Sequence, residues 1–176
     1  GDGGGAIRIE ATGDVVSDGA LLADGTDANF YSGGGSGGGI AVACLRFGGN
    51  GILRANGGER GNYGGSGGGG RIALAYQKLI GSPEVRVEAR EGNNQIAWDD
   101  PLLRWAPYRW MAEPGTIHLA DTTLLPPVVS NFYGVVSLNG AMAWAPDSLT
   151  VNSGRLMFAP GFALSVTNGV MVRGGG

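Results

Sequence analysis

The chain has 176 residues, 36 of them glycine, a formal net charge of −3 and 15% charged side chains. Glycine at about three times its usual share argues against an ordinary helical or α/β domain, and an acidic balance without a basic stripe argues against a nucleic-acid partner. A hydrophobic content of 43% in alternating aliphatic runs excludes a disordered glycine linker.

The first predicted element is GGGAIRIEA from Gly3, in which Ile7, Ile9 and Ala11 fall on one side of a strand and Arg8 and Glu10 on the other. A short strand around Val15 and a third, GALLADG from Gly19, follow. The same series returns as GGGIAVAC from Gly37, Phe47 and GILRANG from Gly51. It returns again as GGGRIALAY from Gly68, Leu79 and EVRVEAREG from Glu84. Ile7, Ile40 and Ile72 are separated by 33 and 32 residues, Val15, Phe47 and Leu79 by 32 and 32, and Leu21, Leu53 and Val87 by 32 and 34. Three independent columns therefore share one period, which predicts stacked repeats of one supersecondary unit. Between repeats lie glycine loops such as YSGGGSGGG, longer than ordinary connections; their residues need either φ > 0 or close stacking on the next loop.

Composition shifts near residue 80. Residues 1–76 hold 25 of the glycines, and all eight prolines and four tryptophans lie beyond them. Residues 92–114 break the period, since Ile72 and Ile117 are 45 residues apart. Beyond the break the pairs Leu149/Val151, Leu156/Phe158, Leu164/Val166 and Val170/Val172 recur at steps of 7, 8 and 6, extended backwards by Met142/Trp144 and Val136/Leu138. The expected fold is all-β, a parallel β-helix with three short strands per coil, in which each coil buries its apolar side against its neighbours. Residues 1–91 would form glycine-rich coils, 92–114 a Trp- and Pro-rich insertion, and 115–176 short coils of the same solenoid.

The strands GGGGRIALAY from Gly67 and PGTIHLADTT from Pro114, with LTVNSGRLMFAPGFALSV from Leu149, resemble glycine-rich parallel β-helix repeat regions, pectin-lyase-like and autotransporter-passenger-like, of large bacterial surface or secreted proteins. That resemblance implies a cell-surface or secreted location and an adhesin-like, structural role. It implies fold far more than activity.

Each candidate for chemistry has a structural counterpart. GSGGGG at 65–70 matches G-x-G-x-x-G, but it precedes a strand and opens no helix, so a phosphate site is not expected. Asp99 and Asp100 are adjacent and precede Pro101, which suits a turn better than an acid/base pair. His118 should point outward, at the position of Arg8, Ala41 and Ala73. Asp14, Asp18, Asp24 and Asp27 offer oxygen ligands for Ca²⁺, yet their spacing fits neither common calcium motif. The second repeat places Asn56 at Asp24 and shows no counterparts to Asp14 and Asp18, so turn capping, with Asp24 stacked over Asn56, is preferred to a metal site. Cys44, the single cysteine, excludes a disulfide framework; sharing the column of Ala11 and Tyr76, it is expected to be buried.

The insertion concentrates Trp98, Trp105, Tyr108 and Trp110 beside Asp99, Asp100, Arg104 and Arg109. These eight residues are the candidate ligand surface, suited to stacking sugar rings or a protein partner. They equally suit covering the outward alanines Ala41, Ala43, Ala73 and Ala75. No cofactor, metal or catalytic residue is expected. The functional expectation is a non-catalytic structural or adhesive segment, with a carbohydrate-binding or carbohydrate-active β-helix as the alternative. Its expected partners are neighbouring coils of one longer protein and a surface glycan or protein. No apolar run approaches the roughly 18 residues that span a bilayer, so no membrane insertion is expected in this segment. GDGGG and VMVRGGG look like one pattern cut mid-repeat, so an export signal would lie outside it and the open ends should self-associate.

Overall fold

The computed structural model describes residues 1–61, 64–93, 112–130, 132–138, 143–152, 155–158 and 160–173. These residues form eighteen strands and no helix. The first repeat supplies β1 (Ala6–Glu10), β2 (Asp14–Val16) and β3 (Ala20–Leu22), the second β4 (Gly39–Ala43), β5 (Arg46–Gly48) and β6 (Ile52–Arg54), and the third β7 (Arg71–Ala75), β8 (Lys78–Leu79) and β9 (Arg86–Glu88). Then come β10 (Thr116–Leu119), β11 (Val128–Val129), β12 (Phe132–Tyr133), β13 (Val135–Leu138), β14 (Ala143–Trp144), β15 (Ser148–Asn152), β16 (Arg155–Phe158), β17 (Ala163–Leu164) and β18 (Gly169–Arg173).

Every pairing is parallel, and every pairing except that of β11 with β15 joins strands three places apart along the chain. The largest sheet is six-stranded, in the order β1-β4-β7-β10-β13-β16, and a four-stranded sheet runs β12-β9-β6-β3. Parallel pairing requires a crossover between partners, and here the intervening two strands and their turns supply it. The architecture is all-β with parallel sheets, compatible with a β-helix or solenoid.

The register reproduces the sequence columns. Ile7 pairs with Ile40, Ile40 with Ile72, Ile72 with Ile117, Ile117 with Val136 and Val136 with Leu156. The second columns, Val15 with Phe47 and Phe47 with Leu79, and the third, Leu21 with Leu53 and Leu53 with Val87, are likewise in register. Phe132 extends the third column against Val87. Neighbouring strands about 4.8 Å apart bring these side chains into contact, and Ile40, Phe47, Leu53, Ile72, Val87, Ile117 and Leu138 are all buried. Burial falls off at the first and last strands: Ile7 and Ile9 are half-buried, whereas Leu164, Val170 and Val172 are exposed although they stand in the inward columns. The same alternation leaves Arg8, Glu10, Ala41, Ala43 and Ala75 outward and exposed.

The glycine loops are ordered by backbone pairing. Residues 33–38 return alongside residues 23–28 of their own repeat, Gly35 N–H donating to Thr26 C=O at 2.9 Å and Gly38 N–H to Ala23 C=O at 2.7 Å. Gly34 and Gly37 donate instead to Gly65 and Gly68 of the next repeat, at 2.9 and 2.8 Å. Successive amides thus point to different neighbours and return to the same one every third residue, the periodicity of an extended threefold helix. The third direction, Gly33 and Ser36, is exposed. An added Cβ on Gly35 would lie 1.8 Å from Asp2 O and one on Gly67 1.9 Å from Gly35 O. No described residue between 33 and 38 or 64 and 70 is a positive-φ glycine. Close approach, and not left-handed backbone, is therefore why these loops are glycine.

Candidate functional site

The aromatic and charged residues singled out in the insertion, Trp98, Asp99, Asp100, Arg104, Trp105, Tyr108, Arg109 and Trp110, lie outside the described residues. The remaining candidates have definite places. His118 sits half-buried between Ala73 and Ser137 in register, on the outward side of its sheet.

The four acids of the first repeat act as hydrogen-bond acceptors for the second. Asp14 accepts both Nε and a terminal nitrogen of Arg46, at 2.7 and 2.6 Å, and this pairing raises the Arg46 pKa above its ordinary value. Asp18 accepts the Asn50 N–H at 3.0 Å, Asp24 the Asn56 N–H at 2.9 Å and Asp27 the Glu59 N–H at 2.8 Å. Asn50 and Asn56 pass the arrangement on, accepting the Glu84 and Arg90 N–H groups at 3.0 and 2.8 Å. Asp18 therefore does have a counterpart in the second repeat: Asn50, whose amide oxygen takes the place of the carboxylate oxygen. The signal was present as Asp and Asn 32 residues apart, but alignment on apolar columns passes over it. Among the described residues no three His, Cys, Asp or Glu side chains group as metal ligands.

Cys44 departs from expectation. It follows β4 at a strand end, its neighbours in register being the half-buried Ala11 and the buried Tyr76, and it is itself half-buried on a shallow concavity bordered by Glu10, Thr12 and Gln77. The small side chains of Ala11 and Ala43, which also line the concavity, leave it uncovered. Partial burial still raises its thiol pKa, with a smaller contribution from the Asp14 charge.

A polar cluster lies on the outer face of the four-stranded sheet. Cross-strand register sets Arg54 beside Glu88 and Glu88 beside Tyr133. Glu88 is only 3% exposed. A carboxylate so enclosed needs charge and hydrogen bonds around it. Arg86 donates to Oε1 through Nε and pairs with it through a terminal nitrogen, while Asn56 Nδ2 reaches Oε2 at 3.4 Å. Arg90 stands 3.5 Å from the same Oε1, and its guanidinium carbon lies 3.5 Å from the Tyr133 ring centroid. Arg54 is engaged separately, by Asp24 at 2.8 Å. Of this cluster only Asp24 and Asn56 were singled out from sequence, as a stacked turn position; Glu88 and its arginines were not, because Arg and Glu alternating on a strand read as an ordinary solvated face.

A second exposed feature is aromatic. Phe30 and Tyr31, at the tip of the first glycine loop, meet edge to face with centroids 4.9 Å apart and are 58% and 78% exposed. No helix among the described residues is long and apolar enough to cross a membrane. No family model, curated protein or solved structure matches this chain.

Proposed function

We propose that this chain is a rigid, non-catalytic segment of a parallel β-helix with three short strands per coil, serving as a structural or adhesive element of an extracellular surface or secreted protein. The observation that carries the reading is the six-stranded parallel sheet whose inward column, Ile7 to Leu156, runs unbroken through every repeat. Load along such a stack is shared among backbone ladders and a continuous apolar core, each repeat contacting its neighbours. The glycine arms add a second backbone-paired layer beside it. A surface or secreted location is the one that the glycine-rich repeat resemblance implies.

The experiment is single-molecule extension between the two termini, run beside an assay for reducing ends released from a panel of polysaccharides. Stepwise unfolding at a spacing of one repeat, with no release of reducing ends, is the expected result. Release that disappears in Trp105→Ala would overturn the reading in favour of a carbohydrate-active β-helix working through the insertion.

A further inference from the structure

We propose that Arg90, together with Arg86, forms a binding site for an oxyanion, a carboxylate or sulfate group, on the outer face of the four-stranded sheet. The inference is independent of the spacer reading, because it concerns what the face binds and not how the stack bears load.

Glu88 already has its own partners. Its Oε1 is held by Arg86 and its Oε2 by Asn56, so one guanidinium and one amide already serve both oxygens of this buried carboxylate. Arg90 is surplus to that need. At 3.5 Å its contact with Oε1 is longer than a charge-assisted hydrogen bond, and among the described residues none accepts a hydrogen bond from its guanidinium. What fixes it is Tyr133, whose ring it overlies at 3.5 Å; stacking of this kind orients the guanidinium plane. Arg86 approaches the same ring at 5.4 Å. The two side chains remain 43% and 53% exposed.

The result is a planar guanidinium donor fork, held in orientation by an aromatic ring and open to solvent. Such a fork matches the two oxygens of a carboxylate or sulfate. Local charge agrees: Arg54, Arg86 and Arg90 face two carboxylates, Asp24 and Glu88. The chain as a whole is acidic, with a net charge of −3, so binding of an anion here cannot be attributed to a general positive field.

The test is an NMR titration of the ¹⁵N-labelled full chain with sodium sulfate at constant ionic strength, following the Arg side-chain Nε–H signals, with dextran sulfate as a second arm. Saturable shifts of Arg90 and Arg86 are expected, weakened at least about tenfold in Arg90→Gln and several-fold in Arg90→Lys, which keeps the charge but loses the fork. Arg155→Gln, which removes an equal charge elsewhere, should leave them unchanged. Saturation by both probes assigns a free oxyanion as sufficient ligand, and saturation by dextran sulfate alone assigns a polymer-borne group. Binding retained in both Arg90 variants, equal loss in Arg155→Gln, or saturation by neither probe would overturn the proposal. Arg90→Lys is the variant to weigh if Arg90→Gln fails to fold.

Discussion

Asp24 and Asn56 occupy the same place in successive repeats, and the carboxylate of the first accepts the backbone N–H of the second at 2.9 Å, as the amide oxygen of Asn56 in turn accepts that of Arg90 at 2.8 Å. A turn position filled by Asp or Asn thereby satisfies a backbone donor one repeat away, which a side chain without an oxygen acceptor would leave unpaired.

Asn56 is where that relationship is most exposed to test. Asn56→Ala leaves the Arg90 N–H without its acceptor and should cost about 1–3 kcal/mol in chemical denaturation. Asn56→Asp keeps the acceptor but sets a second carboxylate against Glu88 Oε2, now 3.4 Å from the amide nitrogen. Mutual repulsion raises the carboxyl pKa values in the folded state, so the lost stability should be greatest at neutral pH. It should return as pH falls through the raised folded values toward about 4. A pH series of melts on this variant beside the parent checks the sign.

The glycine arms predict a sharp positional contrast. Gly67→Ala drives a Cβ to 1.9 Å from the Gly35 carbonyl oxygen, a backbone atom with nowhere to move, whereas Gly68→Ala meets nothing nearer than 3.6 Å. The first should destabilise by about 3 kcal/mol, at the upper end of overpacking costs. The second should be neutral or raise stability by up to about 1 kcal/mol through the unfolded chain. Equal melting temperatures for the two variants would contradict the arm pairing.

Tyr76 couples the third repeat to the turn that follows β10. Its hydroxyl donates to Asp121 Oδ1 at 2.9 Å, an oxygen that also accepts the Thr123 N–H and hydroxyl. Burial, chiefly, pushes the phenol pKa up. The folded state thus holds the proton more tightly than the unfolded one, so the contribution is complete below the ordinary phenol pKa of about 10 and is lost as pH rises above it. Tyr76→Phe should cost about 1–3 kcal/mol at pH 7 and flatten the fall in stability above pH 10, read by denaturant midpoints across that range.

Cys44 should label in the native protein, because it is half-buried and not enclosed. Its raised pKa leaves little thiolate at pH 8, and the thiolate is the nucleophile. A small maleimide should therefore react measurably but several-fold more slowly than in denaturant. Complete protection until unfolding would show the thiol to be covered after all.

Much of the fold was legible because its core is written in period two. Ile7, Ile40 and Ile72, or Leu21, Leu53 and Val87, announce strands and their stacking at once, since an inward position must be apolar in every repeat. Phe132 was missed as the continuation of the third column because the interruption at 92–114 displaces it from the 32-residue spacing. The arms were legible only as loops: a threefold backbone pattern leaves no side-chain alternation when two of its three directions exclude any side chain, and Ser36 on the open direction is too faint a mark. The cluster at Glu88 escaped for a different reason. Its partners come from three strands and two turns, and a lone Glu between Val87 and Ala89 carries no sign that the sheet face will close over it. The candidate ligand surface at 98–110 was read from composition alone and lies outside the described residues.

The threefold direction of the arm amides has a consequence for how such a chain can change length. One inserted or deleted residue in residues 33–38 would turn every later amide by a third of a revolution, aiming at open solvent a donor that now meets its own repeat, and at a neighbouring backbone the face that now carries Ser36. Three residues restore the phase. Arms of this kind can therefore lengthen or shorten only in triplets, and across a population of related chains the loops should differ in size by multiples of three while the strands between them keep step.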